Sequence, residues 1–166
     1  MTGVQTCALP ILLYGDVCTI PEILERIKAA GKKAMVHIDL IAGLSAKEIS
    51  VEFIARQTRA DGIITTKPAL VRRAKELGIF AVLRFFVIDS LALKNIENLE
   101  MQCGTSRPDF IEVLPGVMPK VLGRIAKVSR IPMIAGGLIT EKEDVIAALS
   151  AGAIAVSSTN QDVWNL

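Results

Sequence analysis

The chain has 166 residues, of which 51% are hydrophobic, 4% are aromatic and 22% are charged, and its formal net charge is +2. This length and composition predict one globular domain with a substantial core and no low-complexity segment. The small charge and the few aromatic side chains do not indicate a nucleic-acid-binding module, and they do not exclude RNA binding either.

The cysteine and histidine content indicates whether a metal site is expected and which cellular compartment is favoured. The three cysteines have no CxxC spacing and the chain has a single histidine, so no metal site is predicted. The odd cysteine count argues against a disulfide framework. The longest apolar runs are too short to span a membrane or are interrupted by charge. We therefore expect a cytoplasmic protein with no membrane partner.

Short apolar segments alternate with amphipathic segments along the chain. Seven strands are predicted, beginning near residues 11, 33, 61, 79, 110, 131 and 153. Helices are predicted between them at 21–31, 46–57, 68–78, about 90–102, 119–129 and 141–152. Near-continuous apolar strands separated by helices predict a parallel sheet that is covered on both faces.

The strand count alone does not decide the fold. A closed (β/α)₈ barrel needs eight strands, and an open doubly wound sheet also accommodates seven. The alternation of side chains puts His37 and Asp39 on one face near the end of their strand, and Arg84 and Glu112 interrupt later strands. Charged groups near several strand ends favour a barrel. We therefore predict an α/β TIM-type barrel that lacks its first strand and helix.

Residues 1–11, MTGVQTCALPI, fit neither a helical nor a strand pattern. This stretch resembles a conceptual translation of sequencing-adapter DNA, and we expect it to be a non-native leader. A single incomplete TIM-barrel domain is then expected over residues 12–166. Because a missing unit exposes strand edges, a homo-oligomer is left open.

Seven stretches of the sequence resemble one known family. In chain order they are YGDVCTI, MVHIDLIAGLS, DGIITTKP, LRFFVIDS, IEVLPGVMPK, IPMIAGGLIT and AGAIAVSSTN. Together they resemble the glycerol-3-phosphate responsive antiterminators from about residue 12 to the end. The resemblance implies an incomplete TIM barrel that takes glycerol-3-phosphate as an effector and needs no cofactor. It also implies a regulator that acts on the leader mRNA of glycerol-utilisation operons, with no catalytic residues.

Two segments match the phosphate-binding loops of this fold, which follow its seventh and eighth strands. If one strand is restored in front, the candidate phosphate-binding residues are Gly136, Gly137, Ser157, Ser158 and Thr159. Backbone amides and hydroxyls there are suited to a dianion. The alternative is a glycine turn followed by a serine-rich helix cap, in which Asn160 or Thr159 caps the last turn before Trp164.

Six residues are candidates for contact with the polyol part of the ligand, and each has a structural alternative. His37 and Asp39 either contact the ligand or order the site, and a lone histidine is usually structural. Lys67 either reaches a ligand oxygen or lies in solvent in its loop. The remaining candidates are Arg84, Glu112 and Gly116.

Arg84 and Glu112 interrupt strongly apolar strands, and burying either charge alone costs several kcal/mol. We expect them to pair with each other or with Asp39. The pair would either form a polar layer inside the barrel or bind the hydroxyl groups of glycerol. Gly116 lies in LPGVMP, a predicted rigid loop, where its N–H is a candidate donor.

The residues for RNA contact are predicted on one helix. Lys120, Arg124 and Lys127 have a helical spacing that aligns them along one stripe. A charged stripe of this kind is usually only the solvent-exposed face of a helix. The run Arg72–Arg73 with Lys75 is equally ambiguous.

Without the family resemblance, the residues also allow a second function. A barrel enzyme acting on a small phosphorylated metabolite would use Asp39 or Glu112 as general base, with Lys67 or Arg84 stabilising negative charge. The fold cannot choose between the two functions.

Overall fold

The computed structural model describes residues 9–99 and 107–164, and this part of the chain has an α/β TIM-type fold. Seven parallel strands in one sheet follow the chain order. They are β1 (Ile11–Leu12), β2 (Met35–His37), β3 (Gly62–Thr65), β4 (Phe80–Phe86), β5 (Phe110–Leu114), β6 (Met133–Gly136) and β7 (Ala155–Ser157). The predicted fold class and all seven predicted strands are confirmed.

The helices are α1 (Ile20–Ala29), α2 (Glu48–Gln57), α3 (Pro68–Glu76), α4 (Ser90–Glu97), α5 (Pro119–Val128), α6 (Lys142–Ser150) and α7 (Gln161–Trp164). The first six were predicted, although they are shorter than expected. Part of the predicted helix at about 90–102 lies outside the described residues. Proline opens α3 and α5, since a helix tolerates the missing N–H in its first turn.

One prediction at the end of β2 is wrong in detail. The strand ends at His37, and Asp39 lies in a short 3₁₀ helix, Ile38–Leu40, rather than in the strand. Strand alternation therefore does not set the direction of the Asp39 side chain. Its position depends on the hydrogen bonds that it accepts, which are described below.

Buried aliphatic side chains from the strands and from the inner faces of the helices form the core. Ile63 of β3 and Ile111 of β5 are 0% exposed, as are Leu24 of α1 and Ile54 of α2. Burial of each such side chain contributes about 1.5–3 kcal/mol to folding.

The described residues fall into two compact units. One contains residues 9–83 and 107–109, and the other contains residues 84–99 and 110–164. The prediction of a single domain over residues 12–166 stays a prediction. Residues 1–8 of the predicted leader lie outside the described residues, whereas Ile11 begins β1 and pairs with Met35.

In the first unit, aspartates at the amino ends of two strands tie neighbouring elements together. The Asp61 carboxylate accepts hydrogen bonds from Lys28 Nζ at 2.9 Å and from the N–H of Ala34 at 2.7 Å. Asp109 repeats the arrangement with Lys75 Nζ at 2.6 Å. These contacts stabilise the packing of the helices against the strands within this unit.

Candidate functional site

A buried polar cluster joins the middle of β5 to the carboxyl ends of β6 and β7 in the second unit. We call Arg84, Glu112, Gly136 and Ser157 the Glu112 cluster. Glu112 is 1% exposed. Its Oε2 accepts a hydrogen bond from Arg84 Nε at 2.6 Å, and its Oε1 accepts one from the Ser157 hydroxyl at 2.7 Å. The predicted pairing of Arg84 with Glu112 is therefore confirmed.

Gly136 has no side chain because the other members of the cluster occupy that space. A Cβ built at Gly136 would lie 2.6 Å from Ser157 Oγ and 2.8 Å from Glu112 Oε1. A side chain at position 136 would therefore displace Ser157 or Glu112 from the contact between them, with or without a ligand. The Gly136 backbone is held directly against the buried carboxylate.

The loop after β6 has an unusual backbone. Gly137 has φ +76°, and the next residue, Leu138, has φ +63°. A non-glycine residue in the left-handed region is strained, typically by about 1–2 kcal/mol. Leu138 is also 70% exposed, so burial of its side chain does not explain the conformation. Strain of this kind clusters at functional sites.

Hydrogen bonds join the loops that follow β5, β6 and β7. The N–H of Gly116 donates to the carbonyl oxygen of Gly137 at 3.0 Å. The Ser158 hydroxyl donates to the carbonyl oxygen of Ile139 at 2.7 Å, and Trp164 Nε1 donates to the carbonyl oxygen of Ser158 at 2.8 Å. The Gly116 donor predicted for the ligand is thus used inside the protein, where it holds the β6 loop.

The N-terminus of α6 is capped by its own acidic side chains. Asp144 accepts hydrogen bonds from the N–H groups of Thr140 at 3.0 Å and Glu141 at 3.3 Å, and Glu141 caps the helix reciprocally. Two carboxylates there disfavour a dianion. At α7, Asn160 Oδ1 accepts from the N–H of Asp162 at 3.0 Å, as the capping alternative predicted. A phosphate therefore has the β6 and β7 loops, not these helix ends, as its candidate donors.

A second polar cluster lies in the first unit, around Asp39. The Asp39 carboxylate accepts hydrogen bonds from the hydroxyl of Thr65 at 3.0 Å and from the backbone N–H of Thr66 at 2.7 Å. Lys67 Nζ forms an ion pair with it at 3.2 Å. These donors come from the last residue of β3 and from the loop between β3 and α3. Asp39 therefore orders that loop, and Lys67, at 44% side-chain exposure, is held at its surface.

The environment of Asp39 sets the pKa of its carboxyl group. Burial alone raises the pKa, but the hydrogen bonds from Thr66, Lys67 and Thr65 outweigh burial and hold the pKa below its ordinary value. Asp39 is therefore a fully ionised acceptor at neutral pH. His37 is only 3% exposed at the end of β2, where it pairs in register with Ile64.

The two basic runs differ in their ion pairs. In the α3 run, Arg73 pairs with Glu52 at 2.6 Å and Lys75 pairs with Asp109 at 2.6 Å. On α5 the predicted residues Lys120, Arg124 and Lys127 are all exposed. Across residues 9–99 and 107–164, the ion pairs include none of these three side chains.

Sequence reasoning did not predict two of these contacts. It placed Ser157 beside a phosphate, whereas the hydroxyl donates to Glu112. No role was predicted for Thr65 and Thr66, whereas the hydroxyls of both donate to Asp39. In the described ranges no helix is long and apolar enough to cross a membrane, and no group of three or more His, Cys, Asp or Glu side chains is arranged to hold a metal ion.

Comparison with known proteins identifies the family. The glycerol-3-phosphate responsive antiterminator family matches residues 3–164. An uncharacterized protein of Escherichia coli (strain K12), YgcP, is 46% identical over 160 residues, which are 96% of this chain and 82% of that protein.

Two crystal structures are also similar. The glycerol uptake operon antiterminator regulatory protein from Listeria monocytogenes str. 4b F2365 is 32% identical, with a TM-score of 0.89 over 97% of this chain and 86% of that one. A glycerol uptake operon antiterminator-related protein from Thermotoga maritima MSB8 is 35% identical, with a TM-score of 0.83 over 94% of this chain and 87% of that one. The chain belongs to the glycerol-3-phosphate responsive antiterminator family, which is a family of regulators and not of enzymes.

Proposed function

We propose that this chain is a cytoplasmic antiterminator that binds glycerol-3-phosphate and, when loaded with it, binds the leader mRNA of glycerol-utilisation operons. The observation that carries the proposal is the family match over residues 3–164. The Glu112 cluster supports it, because a buried charged pair lies directly beneath the glycine loop at the strand ends where this fold binds phosphate.

The phosphate group is assigned to the loops after β6 and β7. Gly137 and Leu138 form a turn with a left-handed backbone, and successive backbone N–H groups of a turn suit an anion. Thr159 is exposed in the β7 loop, where its N–H and hydroxyl are further donors. Gly136 and Gly116 support this loop through packing and through the Gly116 N–H bond to Gly137.

The glycerol part is assigned to the Arg84 guanidinium, which Glu112 holds in place. The Arg84 Nε is bound to Glu112, and the guanidinium carries further N–H donors for a ligand oxygen. His37, Asp39 and Lys67 stay separate polyol-recognition candidates of the other unit. A Lys67→Met variant tests the lysine: tenfold weaker glycerol-3-phosphate binding supports a ligand contact, and unchanged binding assigns Lys67 to the loop.

A matched pair of charge variants tests the phosphate assignment. Thr159→Asp and Thr159→Asn have nearly the same shape, and the exposed position tolerates both. A carboxylate about 5 Å from a phosphate at an effective dielectric of about 40 is repelled by about 1.7 kcal/mol per unit charge. Calorimetry is therefore expected to show glycerol-3-phosphate binding at least about tenfold weaker in Thr159→Asp than in Thr159→Asn. Equal affinities would contradict the assignment.

The RNA-contact surface is assigned to the basic stripe of α5, which consists of Lys120, Arg124 and Lys127. These side chains are exposed and make no ion pair among the described residues, whereas Arg73 and Lys75 of α3 are paired. A positive charge without a protein partner gains more from a phosphate backbone, because no ion pair must be broken first.

The RNA assignment is tested by filter retention of leader RNA with and without glycerol-3-phosphate. Retention is expected to rise with the effector in the unmodified chain. Replacing all three stripe residues by Gln is expected to abolish the rise and to lower the salt slope by about 2, since each lost contact to a single strand removes about 0.7. A triple Gln variant of the exposed Lys32, Lys47 and Lys94 is the control of equal charge. Equal losses in both triples would refute the assignment.

The enzyme alternative is not favoured by the Asp39 cluster. A general base works best when its pKa lies near the working pH, but the pKa of Asp39 is lowered and its oxygens are occupied by several donors. Asp39 is therefore better suited to ordering the Thr65–Lys67 loop than to taking a proton.

A further inference from the structure

We propose that the hydroxyl oxygen of Ser157 accepts a hydrogen bond from a ligand hydroxyl, and that Ser157 does not donate to the phosphate. This inference rests on the proposed function and assigns the ligand selectivity of the same site.

The hydroxyl proton of Ser157 is already used in a hydrogen bond to Glu112. Glu112 pairs with Arg84 at 2.6 Å, and a carboxylate in an ion pair is acceptor-only. In the 2.7 Å contact between Ser157 Oγ and Glu112 Oε1, the serine must therefore be the donor. A serine hydroxyl has one proton, so only its oxygen lone pairs remain for a ligand.

A lone pair is repelled by a phosphate oxygen but accepts a hydrogen bond from an alcohol. Glu112 is 1% exposed, whereas Ser157 is partly exposed at the end of β7. A ligand therefore meets the serine oxygen before it can meet the carboxylate. The Glu112–Ser157 pair is thus an acceptor for alcohols at the edge of the candidate site, and it favours a phosphate ester that carries a hydroxyl over one that does not.

Two ligands and two variants test this inference by calorimetry. Glycerol-3-phosphate and n-propyl phosphate share a phosphate and a three-carbon chain, but only the first has hydroxyls. Ser157→Ala is expected to weaken glycerol-3-phosphate binding about tenfold and to leave n-propyl phosphate binding within twofold of the unmodified chain. Ser158→Ala is the contrast, because its hydroxyl holds the Ile139 carbonyl and should affect both ligands equally.

Equal losses for both ligands in Ser157→Ala, or no loss for either, would overturn the inference. Measurements on the unmodified chain provide a second test that needs no variant. 3-Hydroxypropyl phosphate is expected to bind about tenfold more tightly than 3-fluoropropyl phosphate, since fluorine cannot donate, and equal binding would also overturn it. If no phosphate ester binds the unmodified chain, the proposed effector site itself fails, which is distinguishable from a loss shared by both ligands.

Discussion

Removal of the Arg84 charge is expected to destabilise the chain strongly, because it leaves Glu112 buried without a cation. The Glu112 side chain is 1% exposed and that of Arg84 is 12% exposed, so water can replace little of the lost interaction. Breaking a buried pair from one side typically costs about 3–5 kcal/mol. In Arg84→Met, methionine keeps part of the apolar stem, so the loss comes mainly from the charge. At about 3 °C per kcal/mol, the midpoint of thermal unfolding should fall by about 10 °C.

Urea denaturation followed by circular dichroism measures this loss. The double variant Arg84→Met with Glu112→Gln buries no charge, so it is expected to recover most of the stability lost in the single variant. Arg59→Met is the control, because Arg59 and Glu25 are 62% and 56% exposed and such pairs contribute under about 1 kcal/mol. The reasoning would be refuted if Arg84→Met lost less than about 1 kcal/mol, or if the double variant were no more stable than the single one.

Two further stability predictions concern Asp39 and Leu138. The folded-state pKa of Asp39 is lowered, so its stabilising effect is complete above the unfolded value of about 4 and declines as the pH falls through the folded pKa. The advantage of the unmodified chain over Asp39→Asn in urea denaturation should therefore be constant from about pH 7 to 5 and smaller at about pH 3, and an advantage that grew in acid would contradict this. Leu138 has φ +63°, and glycine adopts that conformation without strain. Leu138→Gly is expected to be more stable than Leu138→Ala by about 1 kcal/mol, and equal stabilities would show that the backbone there is unstrained.

The order of strands and helices was predictable because it depends on local patterns. Strands such as Gly62–Thr65 and helices such as Pro68–Glu76 are encoded by short apolar runs, by a proline in the first turn and by a glycine after the last turn. The end of β2 was not predictable in this way. Asp39 leaves the strand because the donors of a distant loop attract its carboxylate, and no pattern around residue 39 records those donors.

The same distinction applies to the Glu112 cluster. The pairing of Arg84 with Glu112 could be predicted, since two charges in apolar strands each need a partner. The donation from Ser157 could not, because it depends on which residues of β5, β6 and β7 lie side by side. Gly136 pairs with Ser157 in the sheet register, and Glu112 pairs with Ile134, which lies two residues before Gly136 on the same strand. A shift of one residue would turn Ser157 to the other face.

The most direct test of the central claim is transcription in vitro through a glycerol-operon leader and its terminator, with the unmodified chain added. We expect terminator read-through to rise in a saturable manner only when glycerol-3-phosphate is also present, with glycerol and inorganic phosphate as controls. Read-through that is unchanged by the chain, or raised equally without glycerol-3-phosphate, would contradict the account.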